Sequence, residues 1–141
     1  MVFAGKRPNH LGVRDAKLAP CPKTPNCVCS QSSDAVHKIE PLTYTSTPEQ
    51  AFTDLKRLIR SLPRTKIVTE TEDYLYAEFT IPVFRFVDDV ELYLDRDANV
   101  IQVRSSSRLG QSDLGVNRRR IETIRTKFNQ IQKTALSEIT H

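Results

Sequence analysis

Alternation of apolar and polar residues along neighbouring segments is the feature that most restricts the fold of this chain. Residues 74–81 and 86–95 place an apolar side chain at nearly every second position, and residues 99–106 complete a hairpin with the second of them. A period of two is that of a β-strand with one buried face. Residues 65–72 have the β-branched composition of a further strand. We therefore expect an antiparallel sheet with one face covered.

The hairpin can be set in register from its own pattern. A turn at residues 95–99 pairs Glu91 with Arg104 on the outer side of the two strands. Opposite charges then face each other, which supports the register independently. The same register places Asp88 on the core side, opposite Ser107. A carboxylate in that position needs a partner, because an unpaired buried charge is costly.

Two amphipathic helices are expected to cover the apolar face of the sheet. The first begins after Thr47, whose hydroxyl can cap it, and ends at Pro63. The second runs over residues 117–139, with Asn117 as its N-cap. With a short strand at residues 37–45, the predicted order is β-α-β-β-β-β-α. This order predicts an α+β fold with two helices packed on one face of an antiparallel β-sheet.

The first part of the chain differs in composition from the rest. Residues 1–35 hold four of the eight prolines and show no period of 2 or 3.6. We expect residues 1–35 to form an irregular segment, rich in cysteine and proline, that packs on the domain. We expect residues 36–141 to form a single α+β domain. No apolar run is long enough for a membrane span, and no secretory signal is visible at the start.

The net charge of +4 conceals a segregation along the chain. Residues 1–66 carry 11 basic and 5 acidic side chains, residues 67–103 carry 2 basic and 9 acidic ones, and residues 104–141 carry 8 basic and 3 acidic ones. An acidic middle between basic ends favours pairing within the fold over one broad basic face. The pattern therefore disfavours nucleic acid as a partner.

The densest group of polar residues is the tract at residues 104–120, which leads from the last strand into the second helix. Three consecutive arginines lie at the helix start, where cations are disfavoured by the positive end of the helix dipole. Two interpretations remain open: internal pairing with nearby carboxylates, or binding of an external phosphate or carboxylate. The candidate ligand-binding residues are Asp88, Asp89, Arg104, Ser105, Ser107, Arg108, Asp113, Asn117, Arg118, Arg119 and Arg120.

The three cysteines lie close together, with the spacing C-x5-C-x-C. A disulfide between Cys21 and Cys27 is sterically allowed and would leave Cys29 free; a metal site and a reactive thiol are the alternatives. The spacing is not a standard zinc pattern, and no neighbouring base favours a catalytic cysteine. We expect loop thiols or a disulfide, with no metal, no cofactor and no catalytic residue.

Four tracts of the chain resemble a known family. They are RPNHLGV at residues 7–13, LAPCPKTPNCVCSQ at 18–31, FVDDVELYLD at 86–95 and VIQVRSSSRLGQSDLGVNRRRIETIR at 100–125. In this order and combination they are similar to the domain of unknown function 1499 family (DUF1499). Cys29 departs from the family pattern, in which serine is more usual, so we expect Cys29 to be dispensable. The resemblance implies bacterial and photosynthetic relatives, and it implies no activity or cofactor.

Together these features favour a non-enzymatic binding or assembly module with an unidentified protein partner, because no nucleophile–base pair or metal set is visible. We expect the unusual tracts to come together in space. The alternative is a small-ligand binder or enzyme that acts on an anionic compound through Arg104, Arg108 and Arg118 to Arg120. A cytoplasmic location is expected, with a plastid, thylakoid-associated or membrane-peripheral location as the alternative.

Overall fold

In the part of the chain that the structure describes, the strands and helices form one five-stranded sheet, one small hairpin and two covering helices. The computed structural model describes residues 5–83, 86–109 and 114–139. In chain order the elements are β1 (Val13–Arg14), β2 (Lys17–Leu18), β3 (Cys27–Cys29), α1 (Pro48–Ser61), β4 (Thr65–Glu70), β5 (Tyr74–Thr80), β6 (Val87–Asp95), β7 (Val100–Ser107) and α2 (Val116–Ile139).

The main sheet is antiparallel, with the strand order β3-β7-β6-β5-β4, and β1 pairs with β2 separately. The predicted register of the β6–β7 hairpin is confirmed, since Asp88 lies opposite Ser107 and Glu91 lies opposite Arg104. On its other side β6 pairs with β5. The acidic strand β6 is therefore central, and both of its faces are available to hold charged side chains away from solvent.

Both helices pack on one face of the sheet, so the predicted α+β fold is confirmed. Phe52 and Ile59 of α1 and Phe128 of α2 are at most 1% exposed, and they share one core with Leu92 and Val103 of the strands. Full burial of such a side chain contributes about 1.5–3 kcal/mol relative to exposure. This apolar layer is what attaches the helices to the sheet.

The two helix starts differ in how far the sequence anticipates them. Thr47 caps α1 as predicted, and its Oγ1 accepts a hydrogen bond of 3.1 Å from the backbone N–H of Gln50. α2 begins at Val116, so Asn117 lies inside the first turn and its prediction as the N-cap is wrong. Asn117 is fully buried, because its amide group bonds to the sheet.

The first strand of the main sheet is β3 rather than residues 37–45. Residues 37–45 meet the sheet at two isolated bridges, made by Lys38 and Leu42. Pro41 lies between them and has no N–H to donate, so a continuous ladder there would lose a hydrogen bond. β3 has three residues, which is too few for an alternation to be read from the sequence.

Residues 5–26, which we call the N-terminal strap, lie on the face of the sheet opposite the helices. The N–H of Gly12 donates to Glu91 Oε1 at 2.7 Å, and Arg104 Nε donates to the carbonyl of Ala19 at 2.9 Å. Glu91 and Arg104 alternate with core residues of β6 and β7, so their side chains point away from the helices. The irregular segment is thus held by side chains of the sheet itself.

A disulfide adds a covalent connection between the strap and the sheet. Cys21 is bonded to Cys27 at the start of β3, which selects the disulfide among the alternatives left open for these cysteines. Cys29, two residues further along β3, is free and buried. Burial raises the pKa of the Cys29 thiol, which keeps it protonated and weakly nucleophilic at neutral pH.

Loss of this disulfide is expected to destabilise the protein by about 2 kcal/mol, because the bond restricts the unfolded chain over a short loop. Denaturant unfolding of a Cys21→Ser variant against the wild type measures the loss. Cys29→Ser is the matched control, for which we expect a change below about 1 kcal/mol. Unfolding of Cys21→Ser at the wild-type midpoint would show that the bond does not stabilise the fold.

Candidate functional site

The sheet divides the polar residues into two clusters, because neighbouring residues of a strand point to opposite faces. Asp88 faces α2 and Asp89 faces the strap, as their ion pairs with Arg120 and Arg108 show. The unusual tracts therefore lie in one part of the sheet but on both of its faces. The helix-side cluster comprises Asp88, Ser105, Ser107, Asn117 and Arg120, and the strap-side cluster comprises Tyr74, Tyr76, Glu78, Asp89, Glu91, Arg104 and Arg108.

An ion pair is the centre of the helix-side cluster. Asp88 is fully buried, and its Oδ2 lies 2.8 Å from Nη2 of Arg120, whose side chain is 12% exposed. Arg120 also lies over the ring of Phe79, 5.2 Å from its centroid. The carboxylate offsets the unfavourable position of an arginine at the start of α2. The ion pair thus balances the charge of the buried carboxylate and that of the cation at the helix start.

Asn117 links the same helix start to β7. Its Oδ1 accepts hydrogen bonds from Ser105 Oγ at 2.5 Å and from Arg120 Nη1 at 2.9 Å. Its Nδ2 donates to Ser107 Oγ at 2.8 Å and to the carbonyl of Asn26 at 3.3 Å. The side chain therefore joins α2, β7 and the residue before β3. These four hydrogen bonds explain why an asparagine is buried where a helix cap was expected.

Glu91 and Arg104 form the first half of the strap-side cluster, and both are at most 2% exposed. Glu91 Oε1 accepts hydrogen bonds from the hydroxyl of Tyr74 at 2.6 Å and from the strap N–H of Gly12 at 2.7 Å. Glu91 Oε2 lies 3.7 Å from Arg104 Nη1, which is close enough for charge attraction and too long for a hydrogen bond. Arg104 gives its own hydrogen bonds to strap carbonyls.

Arg108 is the centre of the second half. Its Nε and Nη2 reach both oxygens of Asp89, at 3.0 and 2.8 Å, and Nη2 also donates to Glu78. Hydrogen bonds that the Arg108 guanidinium donates to the carboxylate of Asp89, and then to that of Glu78, raise the pKa of Arg108. A hydrogen bond from Arg7 of the strap, and then one from Arg108, lowers the pKa of Glu78. The side chains of Arg108 and Glu78 are therefore ionised at neutral pH.

Two tyrosines complete the strap-side cluster as hydrogen-bond donors. The hydroxyl of Tyr74 donates to Glu91, and the hydroxyl of Tyr76 donates to Asp89. Burial is the main reason that the pKa of each phenol is raised, and the neighbouring carboxylate adds to it. Both phenols stay protonated at any physiological pH, so they serve as fixed donors to the carboxylates.

The three consecutive arginines make three different sets of contacts. Arg120 is in the helix-side cluster, whereas Arg118 donates to the carbonyls of Val36 and Lys38 and Arg119 donates to the carbonyl of Leu114. Successive residues of a helix point about 100° apart, so a run of three cannot act on one ligand. Asp113, which the sequence adds to the candidates, lies outside the described residues.

Sequence reasoning missed three members of the strap-side cluster, namely Tyr74, Tyr76 and Glu78. The signal was available in part, because these residues alternate with the apolar positions of β5 and so share the outer face with Asp89. The contact of Gly12 with Glu91 had no such signal, since the strap has no periodic pattern. Which loop residue meets a given sheet residue depends on the path of the chain in space.

A cleft of about 700 Å³ lies beside the strap-side cluster, between the strap and residues 29–34. His10, Arg14 and Lys17 line it, together with the free thiol of Cys29. Among the described side chains, no group of three or more His, Cys, Asp or Glu is placed to hold a metal ion. Within residues 5–83, 86–109 and 114–139, neither helix has the length and apolar content to cross a bilayer.

The Asp88–Arg120 pair is expected to be strongly coupled. Asp88→Asn should destabilise the protein by about 3 kcal/mol, because it leaves a guanidinium without its counter-charge in a mostly buried position. Denaturant unfolding of Asp88→Asn, Arg120→Met and the double variant measures the coupling. We expect the double variant to be more stable, by at least about 1 kcal/mol, than the sum of the single losses predicts.

The exposed Arg57→Met on α1 is the matched control for removing a guanidinium, and it should change stability by less than about 0.5 kcal/mol. Additive losses in the double variant would contradict a direct pair between α2 and β6.

Stability is expected to fall at alkaline pH because of the two buried tyrosines. Above about pH 10 the unfolded chain loses their protons while the native protein keeps them, so the native state binds more protons and the free energy of unfolding decreases. Each tyrosine contributes a slope of up to about 1.4 kcal/mol per pH unit. Unfolding of the wild type and of Tyr74→Phe across this range measures it, and the variant should show the shallower slope. Parallel curves would mean that Tyr74 titrates as an exposed phenol.

Comparison with known proteins places the chain in a family without assigning an activity. A family model described as Protein of unknown function (DUF1499) matches residues 17–128, a range that includes both clusters and the disulfide. No curated protein and no solved structure matches the chain at a significant level. The match covers most of the chain and agrees with the resemblance of the sequence tracts, so the chain belongs to the DUF1499 family.

Proposed function

We propose that this chain is a non-enzymatic binding or assembly module, in which the two polar clusters hold the strap and α2 on the sheet and leave other surfaces for a partner. One observation carries the proposal, namely the internal pairing of the three central arginines. The side chains of Arg104, Arg108 and Arg120 are 2%, 7% and 12% exposed, and each faces a buried carboxylate.

Such pairing disfavours an external anion at these arginines. A phosphate or carboxylate ligand would displace a carboxylate that remains within the protein, which would leave that carboxylate buried and unpaired. Breaking a buried ion pair in this way costs about 3–5 kcal/mol. A ligand would have to recover this cost before any affinity became measurable. The alternative of an enzyme or ligand binder acting through Arg104 and Arg108 is therefore the weaker one.

One observation supports binding of an anionic small molecule, but at a different place in the protein. The cleft beside the strap is lined by the basic residues His10, Arg14 and Lys17. Its acidic residue, Asp34, is already engaged by the backbone N–H and the ring of His37. The basic groups could therefore hold a phosphate or carboxylate at the mouth of the cleft. This is the second candidate function.

The cellular location belongs to the same proposal. A cytoplasmic location is our first choice, and a plastid, thylakoid-associated or membrane-peripheral location is the alternative. Neither choice requires a membrane-spanning helix. The bacterial and photosynthetic relatives implied by the family resemblance stay a prediction as well.

The pairing is tested by titration of the protein with inorganic phosphate, followed by NMR of the arginine Nε–H groups. We expect the signals of Arg104, Arg108 and Arg120 to stay unmoved at millimolar phosphate, because their hydrogen bonds are already made. Signals of Arg14 that shift in a saturable way would favour the second candidate. A saturable shift at Arg108 would overturn the assignment of the strap-side cluster as a structural element.

The binding function itself is tested by native purification from cells that make the protein, followed by size-exclusion chromatography. The expected result is that the protein elutes in a defined complex or together with membranes. We expect the same elution from the Arg14→Ala, Lys17→Ala double variant. Elution as an isolated monomer, combined with saturable phosphate binding in the cleft, would replace the module with the anion binder.

A further inference from the structure

Three of the five exposed large hydrophobic residues in the described part of the chain lie in connections at one end of the sheet, the other two being Val36 and Leu136. Val83 and Leu114 are 87% and 84% exposed, the highest values among the large hydrophobic residues described, and Phe86 is 40% exposed. We call these three residues the apolar tip. Single exposed apolar residues are common on protein surfaces, but a group of them is typical of a contact surface.

The backbone at the apolar tip is also strained. Val83 and Leu114 have φ values of 74° and 54°, in the left-handed region that non-glycine residues rarely adopt and that is least tolerable for a β-branched one. The other described non-glycine residues with positive φ are Asp15, Ala16, Arg64 and Asn99, and none of them has a large apolar side chain. Strain that is retained to present an exposed apolar group points to a function of that group.

The tip residues come from two connections that the topology brings together. Val83 and Phe86 lie between the end of β5 and the start of β6, and Leu114 lies between the end of β7 and the start of α2. In an antiparallel sheet these strand ends lie at the same end of the sheet. A hydrogen bond from the N–H of Arg108 to the carbonyl of Val87 joins the two connections. The three residues of the apolar tip therefore lie at the same end of the sheet.

Cations border the apolar tip. Arg119 is exposed, and its Nη1 donates to a backbone carbonyl of the tip at 2.8 Å. Lys6 and Arg7 are exposed as well. Lys6 and Arg7 lie at the same end because the residue before them, Gly5, packs against Leu109. A Cβ added at Gly5 would lie 3.2 Å from the leucine side chain. Arg119, Lys6 and Arg7 thus place positive charge at this end, with Arg7 paired to Glu78.

The opposite end of the sheet carries the opposite charge. The β4–β5 connection holds Glu72 and Asp73, β6 ends at Asp95, and the β6–β7 turn holds Asp97 and Arg96. Lys56 of α1 reaches the same end, where its Nζ donates to the carbonyl of Thr71, so the acidic residues outnumber the cations there. A charge separation along the sheet orients the molecule in an external field, with the apolar tip toward a negative surface. Apolar groups and cations on one end, with anions on the other, are the arrangement that a surface rich in anionic lipids selects.

We propose that the apolar tip docks this protein on a membrane surface that contains anionic lipids, with Val83, Phe86 and Leu114 inserted at the boundary between headgroups and acyl chains. The proposal names the partner of the binding module proposed above and rests on that function. It can fail while the assignment of the two polar clusters stands, since the tip contains no member of either.

A protein partner is the competing occupant, and the shape of the surface favours the membrane. Side chains that are more than four-fifths exposed project from the surface instead of lining a groove. A projecting group needs a partner that can open around it, which a bilayer does without a preformed pocket. The cations at this end also fit, because each Lys or Arg near an anionic membrane strengthens binding by about fivefold.

The test is sedimentation of the full chain with phosphatidylglycerol vesicles, compared with phosphatidylcholine vesicles. The decisive variant is Val83→Asn with Leu114→Asn, because asparagine tolerates positive φ and removes the apolar group. We expect the double variant to lose about 100-fold in affinity, about tenfold for each side chain, while its thermal stability is unchanged or higher. Arg119→Gln should lose about fivefold and show weaker salt dependence.

Leu136→Asn is the matched control, since Leu136 is 44% exposed near the far end of α2 and should bind as the wild type does. Equal binding to both kinds of vesicle, or wild-type binding by the double asparagine variant, would overturn the proposal. A wild type that ignores vesicles but loses a co-purified protein on the same double substitution would also overturn it, and would identify the tip as a protein contact. The phosphate titration above remains independent of every one of these outcomes.

Discussion

Two adjacent carboxylates at the start of β6 are the constraint on which much of this structure depends. Asp88 and Asp89 point to opposite faces of a central strand and are 0% and 1% exposed, so neither can be solvated by water. Each is met by an arginine from the following tract, Arg120 on the helix side and Arg108 on the strap side. Since an unpaired buried carboxylate would be far more costly than a paired one, the start of α2 is held where Arg120 reaches Asp88, and the end of β7 where Arg108 reaches Asp89.

The same constraint separates structure from function in this protein. Residues that look most like a ligand site are occupied by one another. Their hydrogen bonds raise the pKa of Arg108 and lower that of Glu78, whereas burial, and then the neighbouring carboxylates, raise the pKa of Tyr74 and Tyr76. Perturbed titration alone would have suggested catalysis here. Within the described part of the chain, the cleft beside the strap and the apolar tip lie outside this network of internal pairs.

Prediction from the sequence succeeded where a periodic pattern met a local rule. The β6–β7 register followed from the alternation of the two strands around their turn, supported by the facing charges of Glu91 and Arg104, and the start of α1 followed from the cap at Thr47. It failed at Asn117, where a good capping residue is used to bond α2 to two other segments, and at β3, which is too short to show a period. Tyr74 and Tyr76 were missed because the sequence shows which face of β5 they occupy but not which side chains of the neighbouring strands they contact.

By itself, the sequence determined the α+β class, the alternation that sends Asp88 and Asp89 to opposite faces, and the abundance of arginine that such carboxylates require. These follow from spacing along the chain, which tertiary contacts cannot alter. Only the tertiary structure decided which arginine meets which carboxylate, that the strap closes the outer face, and that Val83 and Leu114 come to one end with cations around them. Those are contacts between segments distant in sequence, and their partners are set by how the chain packs in space rather than by any local preference.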